Sequence, residues 1–252
     1  MSGIIVKNGT VIDPSQNLEI KADIRIAKGK IAEIAPDLTG QEDLLDATGC
    51  LVIPGMIDVH VHFREPGDED EETIASGSAS AAAGGFTSVA CMPNTEPSMD
   101  SEAAVSFVYL QAQKAGLCNV FPVGAITKGR QGQELAEMGQ MVRGGAVAFS
   151  DDGCAVPTAG VLRRAMEYAK MLDKPIMEHC EDRSLAGKGA MNEGPVSTRL
   201  GLPGIPAEAE EIIVARDIML AELTGARLHL QHISTAGSVE MIRYIPGKFF
   251  NA

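Results

Sequence analysis

After residue 50 the chain alternates short apolar runs with helical stretches, in six consecutive strand-then-helix units. This alternation is typical of a parallel sheet with right-handed crossover helices, either an open doubly wound sheet or a (β/α)8 barrel. Polar side chains follow the apolar runs, at the predicted ends of the strands. In a barrel the strand ends meet at one mouth, so these side chains could form one site, whereas in an open sheet they would be spread along an edge. We therefore predict an α/β fold, an incomplete (β/α)8 TIM-type barrel with about six of its eight units. The polar residues concerned are His60, His62, Asn94, Asp152, His179 and His232.

Residues 1–50 have a different pattern, with strand signals and no helix signal. Asn8-Gly9 within residues 4–13 predicts a hairpin with a type I′ turn, and Lys28-Gly29 predicts a second hairpin within residues 22–35. The two hairpins predict a small antiparallel sheet with one buried face, which needs a partner layer.

Net charge and cysteine usage limit the function classes. The formal charge is −13, and no cluster of lysine and arginine occurs, so we expect neither a nucleic-acid nor a membrane partner. No apolar run is long enough to span a membrane, and no signal peptide is recognisable. The five scattered cysteines read as reduced thiols packed as small hydrophobes, which predicts a cytoplasmic protein.

The segment 58–67 carries the first candidate metal ligands. It follows the apolar run 51–57, which predicts a buried strand, and side chains two residues apart on a strand share a face. His60 and His62 can therefore reach the same metal ion. The alternative is an ordinary surface or core pair.

Two further histidines, His179 and His232, end later predicted strands, and Asp152 ends another. Four histidines and a carboxylate exceed what one tetrahedral zinc requires, which suggests two metal ions that share a bridging ligand. Two adjacent metal ions can activate water for attack on an amide carbonyl. The fifth histidine, His229, is interpreted as structural because it lies three residues before His232.

Arg64 and Asn94 are candidate substrate-binding residues near the same mouth. The Arg64 guanidinium suits a bidentate carboxylate, and the Asn94 amide could bind the same group. The alternatives are a surface ion pair of Arg64 with Glu65 and a turn role for Asn94.

Six segments together resemble the amidohydrolase superfamily and, within it, the class I zinc dihydroorotases. The segments are residues 54–67, 84–87, 92–95, 149–153, 178–182 and 232–235. The first is shared with allantoinases and hydantoinases, whereas Met-Pro-Asn-Thr and Ser-Asp-Asp-Gly are closer to dihydroorotases. Hydantoinases and allantoinases use a carbamylated lysine as the metal bridge, and residues 145–153 contain no lysine.

The resemblance implies reversible cyclisation of N-carbamoyl-L-aspartate to L-dihydroorotate in pyrimidine biosynthesis, a hydrolase of small molecules. It implies two zinc ions: His60 and His62 hold one, His179 and His232 the other, and catalytic Asp152 bridges them. Arg64 and Asn94, with His62 beside them, would bind the substrate. Residues 1–50 would form part of a β-sandwich and residues 51–252 the metal-dependent barrel. A homo-oligomer or a complex with aspartate transcarbamoylase is the expected assembly.

The family pattern continues beyond this sequence, with a further aspartate that ligates zinc and moves the proton. Residues 245–252 break the last predicted helix with proline and glycine, as a fragment end or a frameshift would. We therefore expect weak or no activity from this chain alone. The alternatives are an allantoinase- or hydantoinase-like cyclic amidohydrolase and a non-catalytic scaffold for aspartate transcarbamoylase.

Overall fold

A computed structural model of the chain describes residues 3–244. The chain divides into two compact units, Met1–Met56 and Ile57–Ala252, called here the N-terminal unit and the barrel unit. The predicted break of the last helix at residues 245–252 lies outside the described residues.

The N-terminal unit contains one five-stranded sheet. Its strands are β1 (Ile4–Asp13), β2 (Leu18–Ala27), β3 (Lys30–Ala35), β4 (Asp43–Asp46) and β5 (Leu51–Val52), with a 3-10 turn at Pro14–Gln16. The predicted antiparallel sheet is only partly right: β1–β2 and β2–β3 are antiparallel, but β4 and β5 pair with β1 in parallel. The predicted turn at Lys28-Gly29 is confirmed, since it joins β2 to β3 with positive φ at both residues.

The predicted hairpin at Asn8-Gly9 is wrong, because β1 runs unbroken through it. Asn8 has φ 66°, and the pairing of β1 with β2 shifts register between Val6 and Gly9. The Asn8 N–H donates to Asp23 Oδ1 at 2.8 Å, and its side-chain amide donates to Asp46 Oδ1 at 3.0 Å. These bonds hold the left-handed residue as a β-bulge inside one strand rather than as a reversal.

The main sheet of the barrel unit has six strands in the order β13-β10-β9-β8-β7-β6. Its strands are β6 (Met56–Val61), β7 (Phe86–Cys91), β8 (Asn119–Gly124), β9 (Ala148–Phe149), β10 (Ile176–Glu178) and β13 (Leu228–Leu230). From β7 to β13 every neighbouring pair is parallel. The predicted six strands are therefore present in one sheet, and the five from β7 to β13 are parallel.

Eight helices occur within residues 3–244. They are α1 (Ile74–Ala83), α2 (Glu102–Ala115), α3 (Met138–Gly144), α4 (Ala159–Met171), α5 (Arg183–Ala186), α6 (Pro195–Leu200), α7 (Glu208–Thr224) and α8 (Ala236–Arg243), with a 3-10 turn at Lys128–Arg130. The side chains of Ser101, Thr158 and Thr235 cap α2, α4 and α8. None of these helices combines the length and hydrophobicity that a membrane-spanning segment requires.

Residues 183–205 were not predicted to contain structure. They form α5, α6 and a two-stranded parallel pair, β11 (Met191–Asn192) with β12 (Gly204–Ile205). None of the four elements exceeds six residues, which is too short for an apolar repeat to be recognised.

Two of the three hydrophobic clusters in the described part of the barrel unit lie along its main sheet. The larger packs the helices against the outer side of the sheet, around Phe149, Leu162 and Ile176. The smaller contains Ala90, Met92, Val123, Ala148 and Met177 and needs only small or flexible side chains. The prediction that the run 51–57 is a buried strand is wrong. Proline and glycine at 54–55 divide the run, and Ile57 is 67% exposed because β6 is an edge strand of the described sheet.

Acidic groups are buried between β10 and α7. Both Glu178 carboxylate oxygens lack a hydrogen-bond partner among the described residues, and Asp217 is fully buried beside Arg216, whose Nε lies 2.7 Å from its Oδ1. Burial raises the pKa of Glu178, and the charge of Asp217 raises it further. Burial also raises the pKa of Asp217 to about 6 from 3.8, despite the opposing field of Arg216. The pair therefore holds a proton that an unfolded chain would release.

We predict that Asp217→Asn flattens the pH dependence of stability. A raised carboxyl pKa stabilises the fold fully below the unfolded value of 3.8, and this contribution is lost as the pH rises through about 6. This group should therefore lower the free energy of unfolding of the wild type by up to about 3 kcal/mol between pH 4 and pH 7. The free energy of unfolding of the variant should fall less over the same range. The measurement is urea unfolding with EDTA present at both pH values. Asp173→Asn, at a carboxylate 94% exposed, is the control that should follow the wild type.

Candidate metal centre

The candidate ligands lie at the carboxyl ends of four strands of the described sheet. His60 is the penultimate residue of β6, and His62 follows that strand directly. His179 follows β10, His232 lies two residues beyond β13, and Asp152 stands in the turn after β9. Because parallel strands end at the same edge, a curled sheet brings these side chains together.

The Asp152 carboxylate lies at the centre of the four imidazoles. The distances from Oδ1 are 3.5 Å to His60 Nε2, 3.5 Å to His179 Nδ1 and 3.6 Å to His232 Nε2, and Oδ2 lies 3.6 Å from His62 Nε2. The facing nitrogens of His60 and His62 are 3.2 Å apart, and those of His179 and His232 are 3.1 Å apart.

These contacts suit metal ligands better than hydrogen bonds. Asp152 is 3% exposed, and its Oδ1 has no hydrogen-bond partner among the described residues. Ligands that each lie about 2.0–2.1 Å from a tetrahedral zinc ion are about 3.3 Å apart, close to the separations seen here. One ligand atom from each of His60, Asp152 and His232 lies within 4.8 Å of the other two. A cation bound there would give the orphaned oxygen a partner.

Burial and neighbouring charges shift the pKa values of the residues in the cluster. Burial opposes ionisation of Asp152, but His179, His232 and His60 outweigh it and hold its pKa below the ordinary value. Asp152 in turn raises the pKa of His60, against partial burial. Burial lowers the pKa of His62 and favours its neutral form, which is the form that ligates a metal.

The two predicted substrate-binding residues are placed differently. Asn94 Oδ1 lies 2.9 Å from His62 Nδ1, so the amide can accept the proton of that nitrogen and leave the Nε2 lone pair directed at Asp152. Arg64 has φ 50°, and its Nε lies 3.4 Å from Glu71 Oε2, not at Glu65. Within residues 3–244 no hydrogen bond joins Arg64 to Asn94.

Sequence reasoning missed the residues whose hydrogen bonds hold the segment that carries Asp152. Ser150 Oγ accepts hydrogen bonds from the Asp152 N–H at 3.0 Å and from Gln231 Nε2 at 3.1 Å. Asp151 Oδ1 accepts from the N–H groups of Ile126 and Thr127 at 2.9 and 3.0 Å. The available signal was polar residues beside the candidate ligands at the ends of apolar strands.

Two arginine side chains also bond the backbone of this turn. Arg130 Nη2 donates to the carbonyl of Asp152, and Arg183 Nη2 donates to the carbonyl of Gly153 at 2.8 Å. Gly153 has φ +83°, a conformation that glycine adopts without strain. The turn that carries Asp152 is therefore fixed by contacts from three other segments.

Histidines gathered at the carboxyl ends of parallel strands are the arrangement that the sequence resemblance to the amidohydrolase superfamily implies. The solved structure of L-hydantoinase from Arthrobacter aurescens superposes with a TM-score of 0.75 at 24% identity, over 96% of this chain and 55% of that one. This likeness confirms the predicted TIM-type fold, of which the described sheet forms part.

The chain belongs to the dihydro-orotase-like family, whose model matches residues 49–238. It is 54% identical to the dihydroorotase of Solibacter usitatus over 242 residues and 56% identical to that of Pelotomaculum thermopropionicum over 241 residues. These matches cover 96% and 95% of this chain and 56% of each relative. The chain thus spans little more than half the length of the curated relatives it matches.

We predict that His232→Ala and His229→Ala distinguish a metal ligand from a nearby histidine that is not a ligand. His232 faces Asp152, whereas His229 is absent from the contacts around that carboxylate within residues 3–244. Loss of a ligand should weaken zinc binding by at least about 100-fold, since even outer-shell changes cost about 10–100-fold. His229→Ala should bind zinc within about threefold of the wild type, as measured by competition with a chromophoric chelator. Equal losses in both variants would contradict the assignment.

Proposed function

We propose that this chain carries the metal-binding half of a dihydroorotase, which interconverts N-carbamoyl-L-aspartate and L-dihydroorotate. The observation that carries the proposal is the Asp152 carboxylate among four imidazoles, in a chain 54–56% identical to proteins named dihydroorotase. The chain spans 56% of the length of those relatives, so the complete reaction is proposed for the whole protein and not for this chain alone.

Two zinc ions are the proposed cofactor. His60 and His62 would hold one ion, His179 and His232 the other, and Asp152 would bridge them. Imidazole and carboxylate form a donor set that zinc accepts. When bound, two ions would supply water activation near neutral pH and polarisation of the substrate carbonyl.

The residues of the chain would orient the substrate. Asn94 uses its oxygen on His62, which leaves the amide N–H groups to donate to a substrate carboxylate. Arg64 would exchange Glu71 for the same carboxylate. That exchange costs little, because exposed ion pairs contribute only about 0–1 kcal/mol and the Glu71 side chain is 66% exposed.

The hydantoinase alternative rests on fold likeness at 24% identity. Residues 145–153 contain no lysine to serve as a carbamylated bridge, and Asp152 lies where that bridge would be needed. A comparison of ligands distinguishes the two functions. In calorimetric titrations, the zinc-loaded chain should bind L-dihydroorotate and N-carbamoyl-L-aspartate more tightly than unsubstituted hydantoin, which lacks the carboxylate. Preference for hydantoin would contradict the proposal.

We predict that Arg64→Ala weakens ligand binding but not metal binding. Removal of the guanidinium leaves the ligand carboxylate without its charged partner, so the dissociation constant for L-dihydroorotate should rise by about 10–100-fold. Zinc content should not change, because Arg64 is not a ligand. Arg163→Ala, at an exposed arginine paired with Glu167 on α4, is the matched control. Loss of zinc from Arg64→Ala, or unchanged ligand affinity, would contradict this role.

Several broader expectations stay predictions. They are a cytoplasmic location, a homo-oligomer, association with aspartate transcarbamoylase, and a division into a partial β-sandwich at residues 1–50 and a barrel at residues 51–252. Light scattering of the purified chain, alone and mixed with an aspartate transcarbamoylase, tests the two expectations on assembly.

A further inference from the structure

The Glu210 carboxylate binds both residues of a Ser-Thr pair that follows His232. Its Oε2 accepts from the Ser234 N–H and hydroxyl, both at 2.9 Å. Its Oε1 accepts from the Thr235 N–H at 3.0 Å and from the Thr235 hydroxyl at 2.7 Å. One carboxylate thus receives four hydrogen bonds from two consecutive residues.

The segment held in this way has no secondary structure of its own. Residues 231–235 lie between the end of β13 and the start of α8. His232 has φ +38°, a conformation that residues other than glycine rarely adopt. Such a backbone conformation persists only where the surrounding structure holds it.

Two helices favour a negative charge at Glu210. Glu210 lies in the first turn of α7, and its partner Thr235 is the N-cap of α8. Helix N-termini stabilise anions, and hydrogen bonds to an ionised acceptor are stronger than neutral ones. The contact of Glu210 with Ser234 and Thr235, called here the clamp, thus joins the N-termini of two helices through a charged group.

We propose that Glu210 is a positioning residue for His232: its carboxylate fixes the 232–235 segment so that His232 Nε2 stays directed at Asp152. The proposal rests on the proposed metal centre and adds a residue whose carboxylate bonds Ser234 and Thr235 rather than the His232 ring itself. It implies that the ion held by His232 depends on Glu210, whereas the ion held by His60 and His62 does not.

The test variant is Glu210→Gln. An amide offers one acceptor oxygen, and its nitrogen would face N–H and O–H donors, so half of the clamp is lost. Glu208→Gln removes the same charge from the same helical turn at an exposed position and is the matched control. Zinc titration should show that the affinity of one of two binding events falls by about 10–100-fold in Glu210→Gln and stays within about threefold of the wild type in Glu208→Gln.

A double-mutant cycle distinguishes positioning from general destabilisation. If Glu210 acts through His232, Glu210→Gln should weaken zinc binding no further in a chain that already carries His232→Ala. An additive loss would overturn the proposal. Should Glu210→Gln fail to fold, as judged by circular dichroism in EDTA, Ser234→Ala removes one of the four bonds and must show a smaller loss with the same non-additivity.

A measurement without metal separates this proposal from the proposed function. In the EDTA-treated chain with ¹⁵N-labelled histidine, Glu210→Gln should shift or broaden the ring signals of His232 and leave those of His60 and His62 in place. Unchanged His232 signals would overturn the inference whatever the metal data show. A wild-type chain that binds no zinc would overturn the proposed function alone.

Discussion

The Asp152 carboxylate is the constraint on which the rest of the site depends. A buried carboxylate is costly unless its oxygens are bonded, yet Oδ1 has no hydrogen-bond partner among the described residues. The Asp152 N–H donates to Ser150 Oγ, and Arg130 donates to the Asp152 carbonyl oxygen. These bonds fix the backbone of Asp152 and leave the carboxylate to the four histidines. The anchored turn thus holds an acidic group ready for a cation.

The side-chain hydrogen bonds around Asp152 compensate for the short strands next to it. β9 has two residues and β10 has three, so few ladder bonds reach the turns beyond them. Side chains add hydrogen bonds where the ladder has few. Asp151 bonds the segment after β8, and Gln231, the residue after β13, bonds Ser150. Burial of these groups in the barrel unit makes each bond more valuable than it would be in water.

Sequence reasoning recovered what local rules determine. The alternation of strands and helices gave the six strands of the main sheet and placed the histidines at their ends. Lys28-Gly29 forms the predicted turn, but Asn8-Gly9 does not, because Asp23 and Asp46, far away in sequence, bond Asn8 into a bulge. The support of Asp152 was missed for the same reason: its bonds join residues up to 81 positions apart.

The ligands differ in what fixes them. His60 lies within β6, and His179 directly follows β10, which pairs with a strand on each side, so the sheet itself fixes both. His62 follows β6 and His232 lies two residues beyond β13, and these two strands are the edges of the described sheet. These two have a dedicated partner: Asn94 bonds the His62 ring, and Glu210 bonds the segment that follows His232. Added hydrogen bonds therefore occur where regular structure stops, as expected if ligand direction is what the fold must preserve.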